Sequence, residues 1–336
     1  MSHRIAIIGA GAWGTALACA WGSKGHKITL VTRDARTAES IRSNRHNNQC
    51  LPGIMLPNSI EVTNGHNVLK NSDIIAFSTP AQAFSETLKT CKAYLQSGQS
   101  IVLCSKGIDQ KSETTLTQIA REQQPYLCRF VLSGPSFAVD VANGLPAAVT
   151  LASSQRKKTD WLAGILSTER LRVYSSTDVI GVEMGGALKN VLAIAVGIAR
   201  GLKLGVSAEA ALISRGFLEM TRLAIAMGAR RETLTGLSGL GDLALCCANP
   251  QSRNFCYGII LGQGKNNTHY PLTEGIFTAD VARKVAKQHN IEVPIIETVC
   301  QILNGQVTPI EAVSHLLSRP LKGEDLEGRD SKREQL

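Results

Sequence analysis

The chain has 336 residues, of which 43% are apolar, and a formal net charge of +9 from 36 basic and 27 acidic side chains. A chain of this length most often forms two domains, and this apolar fraction can give each of them a sizeable core. The basic residues are dispersed and no aromatic residues alternate with them, so the charge favours small anionic ligands and argues against a nucleic-acid surface.

The nine cysteines are scattered and include no Cys-x-x-Cys pair. This usage is typical of a reducing compartment and argues against a disulfide framework or a metal site. The first residues lead directly into an apolar strand pattern instead of a signal peptide. The sequence therefore predicts a cytoplasmic protein without a bound metal.

In the first half of the chain, short β-rich segments alternate with helical ones. The first three segments, at residues 4–9, 13–25 and 26–32, form a βαβ unit. Further strands are predicted at residues 73–80, 100–107, 129–135 and 147–152. This alternation predicts an α/β Rossmann-type domain with a mostly parallel sheet over residues 1–178.

Beyond residue 178 the predicted strands stop. Helical patterns follow at residues 179–201, 207–228, 278–290 and 295–305. We therefore expect an all-helical domain over residues 179–320. Residues 321–336 mix both charge signs and are predicted to form a flexible tail.

The segment at 179–201 is almost continuously apolar but contains Glu183 and Lys189. It is long enough to span a bilayer, but two charges near its middle would cost several kcal/mol, so we predict a buried helix and no membrane span. Gly181, Gly185 and Lys189 share one helix face, against which either a ligand or the sheet domain could pack closely. Apolar surroundings predict a lowered pKa for Lys189, which would let it exchange protons near neutral pH.

The sequence GAGAWG follows the first strand and opens the first helix, with Gly9, Gly11 and Gly14 in the G-x-G-x-x-G spacing. These glycines allow a tight turn, an approach of the backbone to a pyrophosphate and close packing of helix on strand. A dinucleotide site is predicted, with a purely structural glycine turn as the alternative. After the second strand, Arg33 stands where an arginine accommodates a 2′-phosphate and Asp34 follows it, which favours NADPH over NADH. The alternative is an exposed arginine that opens a helix.

Six short motifs occur in order along the chain: GAGAWGTALA at 9–18, SKG at 105–107, LSGPSFA at 132–138, GGALKN at 185–190, GLGDL at 239–243 and QSRN at 251–254. Together they resemble the bacterial NAD(P)-dependent glycerol-3-phosphate dehydrogenases, from residue 4 to about residue 318. The resemblance implies reversible reduction of dihydroxyacetone phosphate by NADPH or NADH to sn-glycerol 3-phosphate, which supplies the glycerol backbone of phospholipids.

The resemblance also implies roles for individual residues. Lys189 would be the general acid that protonates the ketone oxygen, and the base in the reverse direction. Asp242 would orient Lys189, and Lys106 would hold the substrate electrostatically. The implied substrate contacts are Lys106, Gly134, Ser136, Lys189, Asp242, Ser252, Arg253 and Asn254. The implied cofactor contacts are Gly9, Gly11, Ala12, Trp13, Gly14, Arg33, Lys106, Ala138, Arg253, Leu272 and Glu274.

One position departs from the family pattern. Four residues after Asp242, where the family has threonine, this chain has Cys246. A thiol is a weaker hydrogen-bond partner than a hydroxyl, so the support of Lys189 is in question.

Two other functions compete with the one that the resemblance implies. A non-catalytic dinucleotide sensor would not need Lys106, Lys189 and Asp242 together, and a hydroxyacid dehydrogenase would reduce other ketones. The expected partner is a small phosphorylated substrate, with neither nucleic acid nor membrane involved. A homodimer is left open.

Overall fold

The protein is described by a computed structural model that covers residues 2–265 and 270–320, so the predicted tail at 321–336 lies outside the described residues. The strands of the described part are β1 (Arg4–Ile8), β2 (Lys27–Val31), β3 (His46–Asn47), β4 (Leu51–Met55), β5 (Ile60–Thr63), β6 (Ile74–Phe77), β7 (Ser100–Leu103), β8 (Ile108–Asp109), β9 (Thr114–Thr115), β10 (Cys128–Ser133), β11 (Ala147–Ala152) and β12 (Leu171–Ser176).

Eight of these strands form one sheet in the order β12-β11-β10-β7-β6-β1-β2-β5. Every neighbouring pair in it is parallel except β10 and β11, where Leu132 lies opposite Leu151. The predicted mostly parallel sheet is confirmed. The antiparallel hairpins β3–β4 and β8–β9 were not expected from the sequence.

The helices of the sheet-containing part are α1 (Ala12–Ser23), α2 (Ala35–Asn44), α3 (Phe84–Cys91), α4 (Leu116–Gln123), α5 (Ala138–Ala142) and α6 (Arg156–Leu166). The later helices are α7 (Val179–Gly201), α8 (Val206–Ala226), α9 (Arg231–Leu234), α10 (Asp242–Ala248), α11 (Arg253–Gly262), α12 (Glu274–Gln288), α13 (Pro294–Leu303) and α14 (Pro309–Leu317). Past Ser176 the described residues include helices and no strand, which confirms the predicted fold class.

Helices cover both faces of the sheet. One face packs against α1 and α6 through side chains such as Trp21 and Leu162, and the other packs against α3 and α4 through side chains such as Phe84 and Ile119. Because both faces are covered, the central strand β1 is buried from Ile5 to Ile8, as parallel sheets require.

Helix α7 is the core of the helical part. Its length and hydropathy would suit a membrane span, yet every residue from Gly181 to Ala199 is buried inside the protein. A Cβ atom at Gly197 would collide with the carbonyl oxygen of Phe255 in α11. The glycines of α7 thus permit close helix packing, and α7 is a core helix.

Candidate active site

A buried lysine, Lys189, and a half-buried one, Lys106, flank the buried Asp242 where the sheet meets the helical part. Lys106 Nζ lies 2.6 Å from Asp242 Oδ2 and donates a hydrogen bond to the Gly134 carbonyl at 2.9 Å. Lys189 Nζ lies 3.2 Å from the other carboxylate oxygen of Asp242. The side chain of Asp242 is 1% exposed, that of Lys189 7% and that of Lys106 18%. The Asp242 carboxylate therefore pairs with two ammonium groups, and only a small part of the three side chains is exposed to water.

The three residues come from elements far apart in the sequence. Lys106 follows β7 at the carboxyl end of a parallel strand, where ligand sites of such sheets occur. Lys189 projects from the middle of α7, and Asp242 is the first residue of α10, directly after a π-helical turn at Leu237–Gly241. Such turns often occur at functional sites.

Asn190 and Asn254 link the loop after β7 to α7, α11 and α12. Asn190 Nδ2 donates to the Lys106 carbonyl at 3.2 Å, and Asn254 Nδ2 donates to Asn190 Oδ1 at 2.9 Å. Asn254 Oδ1 in turn accepts from the backbone N–H of Gly275 at 2.9 Å. The sequence signal for this link was Asn190, an amide that directly follows Lys189 in a mostly apolar segment.

The pKa values of the two lysines move in opposite directions. At Lys106, burial lowers the pKa and the Asp242 carboxylate offsets only part of this effect. At Lys189, burial also lowers the pKa, but Asp242 and Cys246 together outweigh it, so the pKa ends above its usual value. The expectation of a lowered pKa for Lys189 is wrong because the apolar helix pattern does not reveal the carboxylate. Lys189 is therefore held in the protonated form.

Cys246 contacts the cluster directly. Lys189 Nζ donates to Cys246 Sγ at 2.7 Å, and the thiol lies 3.7 Å from Asp242 Oδ1. The Cys246 thiol thus accepts a hydrogen bond from Lys189 and supplies the support that the absence of threonine had put in question.

The glycines ahead of Lys189 pack against protein. A Cβ at Gly185 would lie 2.6 Å from the Ser238 carbonyl oxygen, and one at Gly181 would collide with the Asp178 side chain. Packing within the helical part accounts for both glycines. Neither a closely approaching ligand nor packing against the sheet domain is therefore what requires Gly181 and Gly185.

In the glycine-rich turn, the fold requires Gly9 and Gly14, whereas Gly11 leaves space for a ligand. Gly9 has φ +107°, and a Cβ there would lie 2.7 Å from the Ser78 carbonyl oxygen, while one at Gly14 would collide with the Gly9 carbonyl. A Cβ at Gly11 would meet nothing within 4 Å. Gly11 precedes α1, which starts at Ala12 and has no acidic residue in its first turn. The open side of the turn therefore fits a pyrophosphate at a helix N-terminus.

Arg33 and Asp34 occupy different environments after β2. Arg33 is exposed. Asp34 caps α2, where its carboxylate accepts from the Thr37 N–H at 2.8 Å and from the Thr37 hydroxyl at 3.0 Å. The carboxylate that could bind a ribose hydroxyl is therefore engaged by the helix, and the arginine remains available.

Three other expected cofactor contacts, Trp13, Ala138 and Leu272, lie on or next to different helices. Trp13 in α1 keeps a buried Nε1 without a hydrogen-bond partner among residues 2–265 and 270–320. Ala138 starts α5, which packs against α1. Leu272 is 38% exposed and immediately precedes α12.

Glu274, at the start of α12, reaches the sheet-containing part. Its Oε1 accepts from the Ala81 N–H at 2.9 Å, and its buried Oε2 has no hydrogen-bond partner in the described residues. Burial raises the pKa of this carboxyl group. A Cβ at Gly107 would lie 3.2 Å from Glu274 Oε2, so Glu274 lies beside the loop that carries Lys106.

The residues expected at the substrate differ in how far they are engaged. Ser252 caps α11 and Asn254 is bonded as above. Arg253 is exposed and has no hydrogen bond or ion pair in the described parts of the chain. Ser136 donates to the Gly134 carbonyl at 3.1 Å. Gly134 is required by the fold, since at φ +149° a Cβ would lie 2.8 Å from Val149 Cα.

A cavity of about 610 Å³ lies elsewhere, between α4, the start of β10 and the start of α7. Its basic lining residues are Arg121, Arg129 and Lys158, and it contains no member of the lysine–aspartate cluster. This cavity is therefore not the candidate active site, because the ionisable groups suited to proton transfer are at the cluster of Lys106, Asp242 and Lys189.

Comparison with known proteins decides the family. The model of the NAD-dependent glycerol-3-phosphate dehydrogenase N-terminus matches residues 4–159, and that of the C-terminus matches residues 178–314. The chain belongs to the NAD-dependent glycerol-3-phosphate dehydrogenase family. The glycerol-3-phosphate dehydrogenase (NAD(P)+) of Brucella canis is 47% identical over 326 residues, which is 97% of this chain and 100% of the relative. The protein of that name from Mesorhizobium japonicum is 48% identical over 96% of this chain and 94% of its own.

Solved structures agree with this family membership. The crystal structure of the Coxiella burnetii glycerol-3-phosphate dehydrogenase has a TM-score of 0.90 and 38% identity, covering 95% of this chain and 99% of its own. A D-mandelate dehydrogenase complexed with NADH has a TM-score of 0.61 at 15% identity, covering 90% of this chain and 98% of its own. That second likeness is one of fold alone.

Proposed function

We propose that this chain transfers a hydride reversibly between a nicotinamide dinucleotide and C2 of dihydroxyacetone phosphate, giving sn-glycerol 3-phosphate in the reductive direction. The Lys106–Asp242–Lys189 cluster, in which Asp242 and Lys189 are buried, is the observation that carries the proposal. It places a proton donor and a second cation together beside a Rossmann-type sheet, which a non-catalytic sensor would not need. The relatives that share sequence over the whole chain carry this activity in their names.

Lys189 is the proton donor to the ketone oxygen. Its ammonium group is kept charged by Asp242 and held by the Cys246 thiol, so in the reductive direction it starts from the form that donates. Lys106 supplies positive charge where the substrate oxygen becomes negative, and Gly134 and Asp242 fix its position. When bound, the dinucleotide supplies the hydride. In the oxidative direction Lys189 must be neutral before it can accept the proton, and its raised pKa makes this neutral form less populated.

NADPH is the preferred cofactor in this proposal. The support is that Arg33 is exposed without an ion pair in the described residues, whereas Asp34 is used by the α2 N-terminus. Arginine binds phosphate oxygens by charge-assisted hydrogen bonds, and a free carboxylate nearby would instead favour the 2′-hydroxyl of NADH. The Gly9–Gly14 turn takes the pyrophosphate, and Trp13, Ala138, Leu272 and Glu274 line the remainder of the cofactor site.

Arg253 is the proposed anchor of the substrate phosphate, with Ser252 and Asn254 beside it at the start of α11. It is exposed and, within the described residues, makes no hydrogen bond or ion pair, although its charge also acts on Glu274. Its planar guanidinium can meet two phosphate oxygens at once. A three-carbon substrate offers little apolar surface, so its phosphate must supply most of the binding energy.

The same proposal divides the chain into a dinucleotide domain at 1–178 and a catalytic domain at 179–320. The nine cysteines lie within the described residues and are all unpaired, which supports a reducing cytoplasmic setting. There the product would supply the backbone of glycerophospholipids. A homodimer remains a prediction.

The test is consumption of NADPH and NADH absorbance with a panel of ketones. We expect turnover of dihydroxyacetone phosphate, with a higher kcat/KM for NADPH. Dihydroxyacetone and 2-keto acids should be poor substrates. Preferred reduction of a 2-keto acid would favour the hydroxyacid dehydrogenase, and dinucleotide binding without turnover would favour the sensor.

A further inference from the structure

The β3–β4 hairpin lies against the glycine-rich turn. Its base is closed by Arg45, whose carbonyl accepts from the Leu56 N–H at 2.8 Å and whose guanidinium donates to the Ile60 carbonyl at 3.1 Å. Leu51 and Ile54 of β4 are buried in the same core as α1. The hairpin is therefore fixed at its base and along one face, and does not hang free over the turn.

Asn47 connects this hairpin to the turn. It is 3% exposed, and its Nδ2 donates to the Ala10 carbonyl at 2.7 Å and to the Thr15 hydroxyl oxygen at 2.8 Å. Ala10 lies between Gly9 and Gly11, and Thr15 lies in the first turns of α1. One buried amide thus holds both the glycine-rich turn and the helix that follows it.

The Ala10 carbonyl and the Gly11 N–H belong to the same peptide group. The described chain contains no cis peptide, and in a trans peptide these two groups point in opposite directions. With the carbonyl held towards Asn47, the Gly11 N–H points away from the hairpin. That N–H has no acceptor among residues 2–265 and 270–320, and a Cβ at Gly11 would meet nothing within 4 Å.

We propose that Asn47 is a positioning residue for the cofactor, which holds the Ala10–Gly11 peptide so that its N–H faces the pyrophosphate. The inference rests on the proposed seating of the pyrophosphate at this turn. If the peptide rotated, a carbonyl oxygen would face the phosphates and repel them. Asn47 itself touches no ligand and acts through the backbone.

This role has a specific signature. The pyrophosphate is common to NADPH and NADH, so loss of Asn47 should weaken both cofactors by the same factor. The lysine–aspartate cluster is untouched, so kcat at saturating cofactor and KM for dihydroxyacetone phosphate should stay unchanged. A loss of the fold would instead lower kcat and weaken the binding of cofactor and substrate together.

The experiment measures dissociation constants and steady-state kinetics for Asn47→Ala and Asn47→Asp. Loss of a buried hydrogen bond should weaken NADPH and NADH about 10-fold each. Asn47→Asp should weaken them at least as much, because a carboxylate would face the Ala10 carbonyl. Asn48→Ala, which removes an exposed amide from the same hairpin, is the matched control and should change neither affinity.

Two fragments show which part of the cofactor responds. ADP-ribose contains the pyrophosphate and should bind Asn47→Ala about 10-fold more weakly than the wild type, whereas adenosine 2′-monophosphate lacks it and should bind both equally. Equal weakening of both fragments, or a lowered Tm with unchanged affinities, would overturn the positioning role.

Gly11→Val separates this inference from the seating on which it rests. The substitution fits the free protein, because the space at Gly11 is open, but would obstruct a pyrophosphate there. If Gly11→Val leaves NADPH affinity intact, the seating is wrong and the role of Asn47 falls with it. If Gly11→Val abolishes binding while Asn47→Ala does not change it, the seating stands and only the role of Asn47 is rejected.

Discussion

The cations of the site form two groups that differ in burial and in partners. Lys189 is buried, Lys106 is half-buried, and both pair with the buried Asp242; these two lysines are the buried group. Arg33 and Arg253 are exposed, and within the described residues neither has an ion pair. A charge that protein partners already fix in place can act on the reacting atoms without reorganising, whereas an exposed, unpaired charge can gain a partner only from a ligand. Under the proposed function, this difference predicts that the buried group acts in catalysis and the exposed group in ligand affinity.

The largest expected effect comes from breaking the buried group at its proton donor. Lys189→Met keeps apolar packing in α7 but removes the ammonium, so kcat should fall by about 10²- to 10⁴-fold while cofactor affinity stays the same. Stopped assays with dihydroxyacetone phosphate at saturating NADPH measure this. Lys287→Met, at an exposed position of α12, is the matched control. A variant at Lys189 that kept more than about a tenth of the turnover would show that another group is the acid.

The exposed group should respond in KM. Arg253→Ala should raise KM for dihydroxyacetone phosphate by about 10- to 150-fold, because a charge-assisted contact to phosphate is lost. kcat can fall as well, since phosphate binding also positions the ketone. Unphosphorylated dihydroxyacetone is the control, and its poor turnover should scarcely change. Equal losses of kcat/KM for both ketones would mean that Arg253 serves the cofactor or the fold.

Arg33 should affect one cofactor only. Arg33→Ala should weaken NADPH by roughly 1.5 to 3 kcal/mol and leave NADH nearly unchanged, because only NADPH carries the 2′-phosphate. Titration of both cofactors measures this. Arg36→Ala, at an exposed position in the first turn of α2, is the control for general charge. Equal weakening of the two cofactors would place the 2′-phosphate elsewhere.

The parts of the site also differ in how far the sequence alone predicts them. The position of the glycine-rich turn and of Arg33 after β2 could be predicted because both lie within a few consecutive residues of one βαβ unit. The cluster is different, since Lys106, Lys189 and Asp242 come from three distant segments. The resemblance to a family named these residues, but the pattern of α7 alone gave the wrong pKa direction for Lys189. The β3–β4 hairpin was missed because its strands are short and its key contact, from Asn47 to Ala10, spans 37 residues.

Burial alone does not make a charged residue catalytic, and Glu183 is the test within α7. It is 9% exposed, and its carboxyl group accepts from the Thr117 N–H at 2.9 Å and from the Thr117 hydroxyl. It thereby provides an acceptor for a backbone N–H in the first turn of α4, where the helix itself provides none. Burial raises its pKa from 4.5 to about 7 although these hydrogen bonds lower it. Glu183 thus has a structural role, and its substitution should change stability without changing catalysis.

The sign of this last effect follows from proton binding. Between pH 4.5 and about 7 the folded protein retains a proton on Glu183 that the unfolded chain has lost, so the contribution of Glu183 to the free energy of unfolding falls as the pH rises through this window. Glu183→Gln does not titrate and can still accept from Thr117. Its stability relative to the wild type should therefore improve by about 2 to 3 kcal/mol between pH 5 and pH 8. Urea denaturation at both pH values measures the difference, and Glu219, whose pKa is also raised to about 7, is present in both proteins and cancels. kcat should remain at the wild-type value, and a pH-independent difference in stability would mean that Glu183 is already ionised in the folded protein.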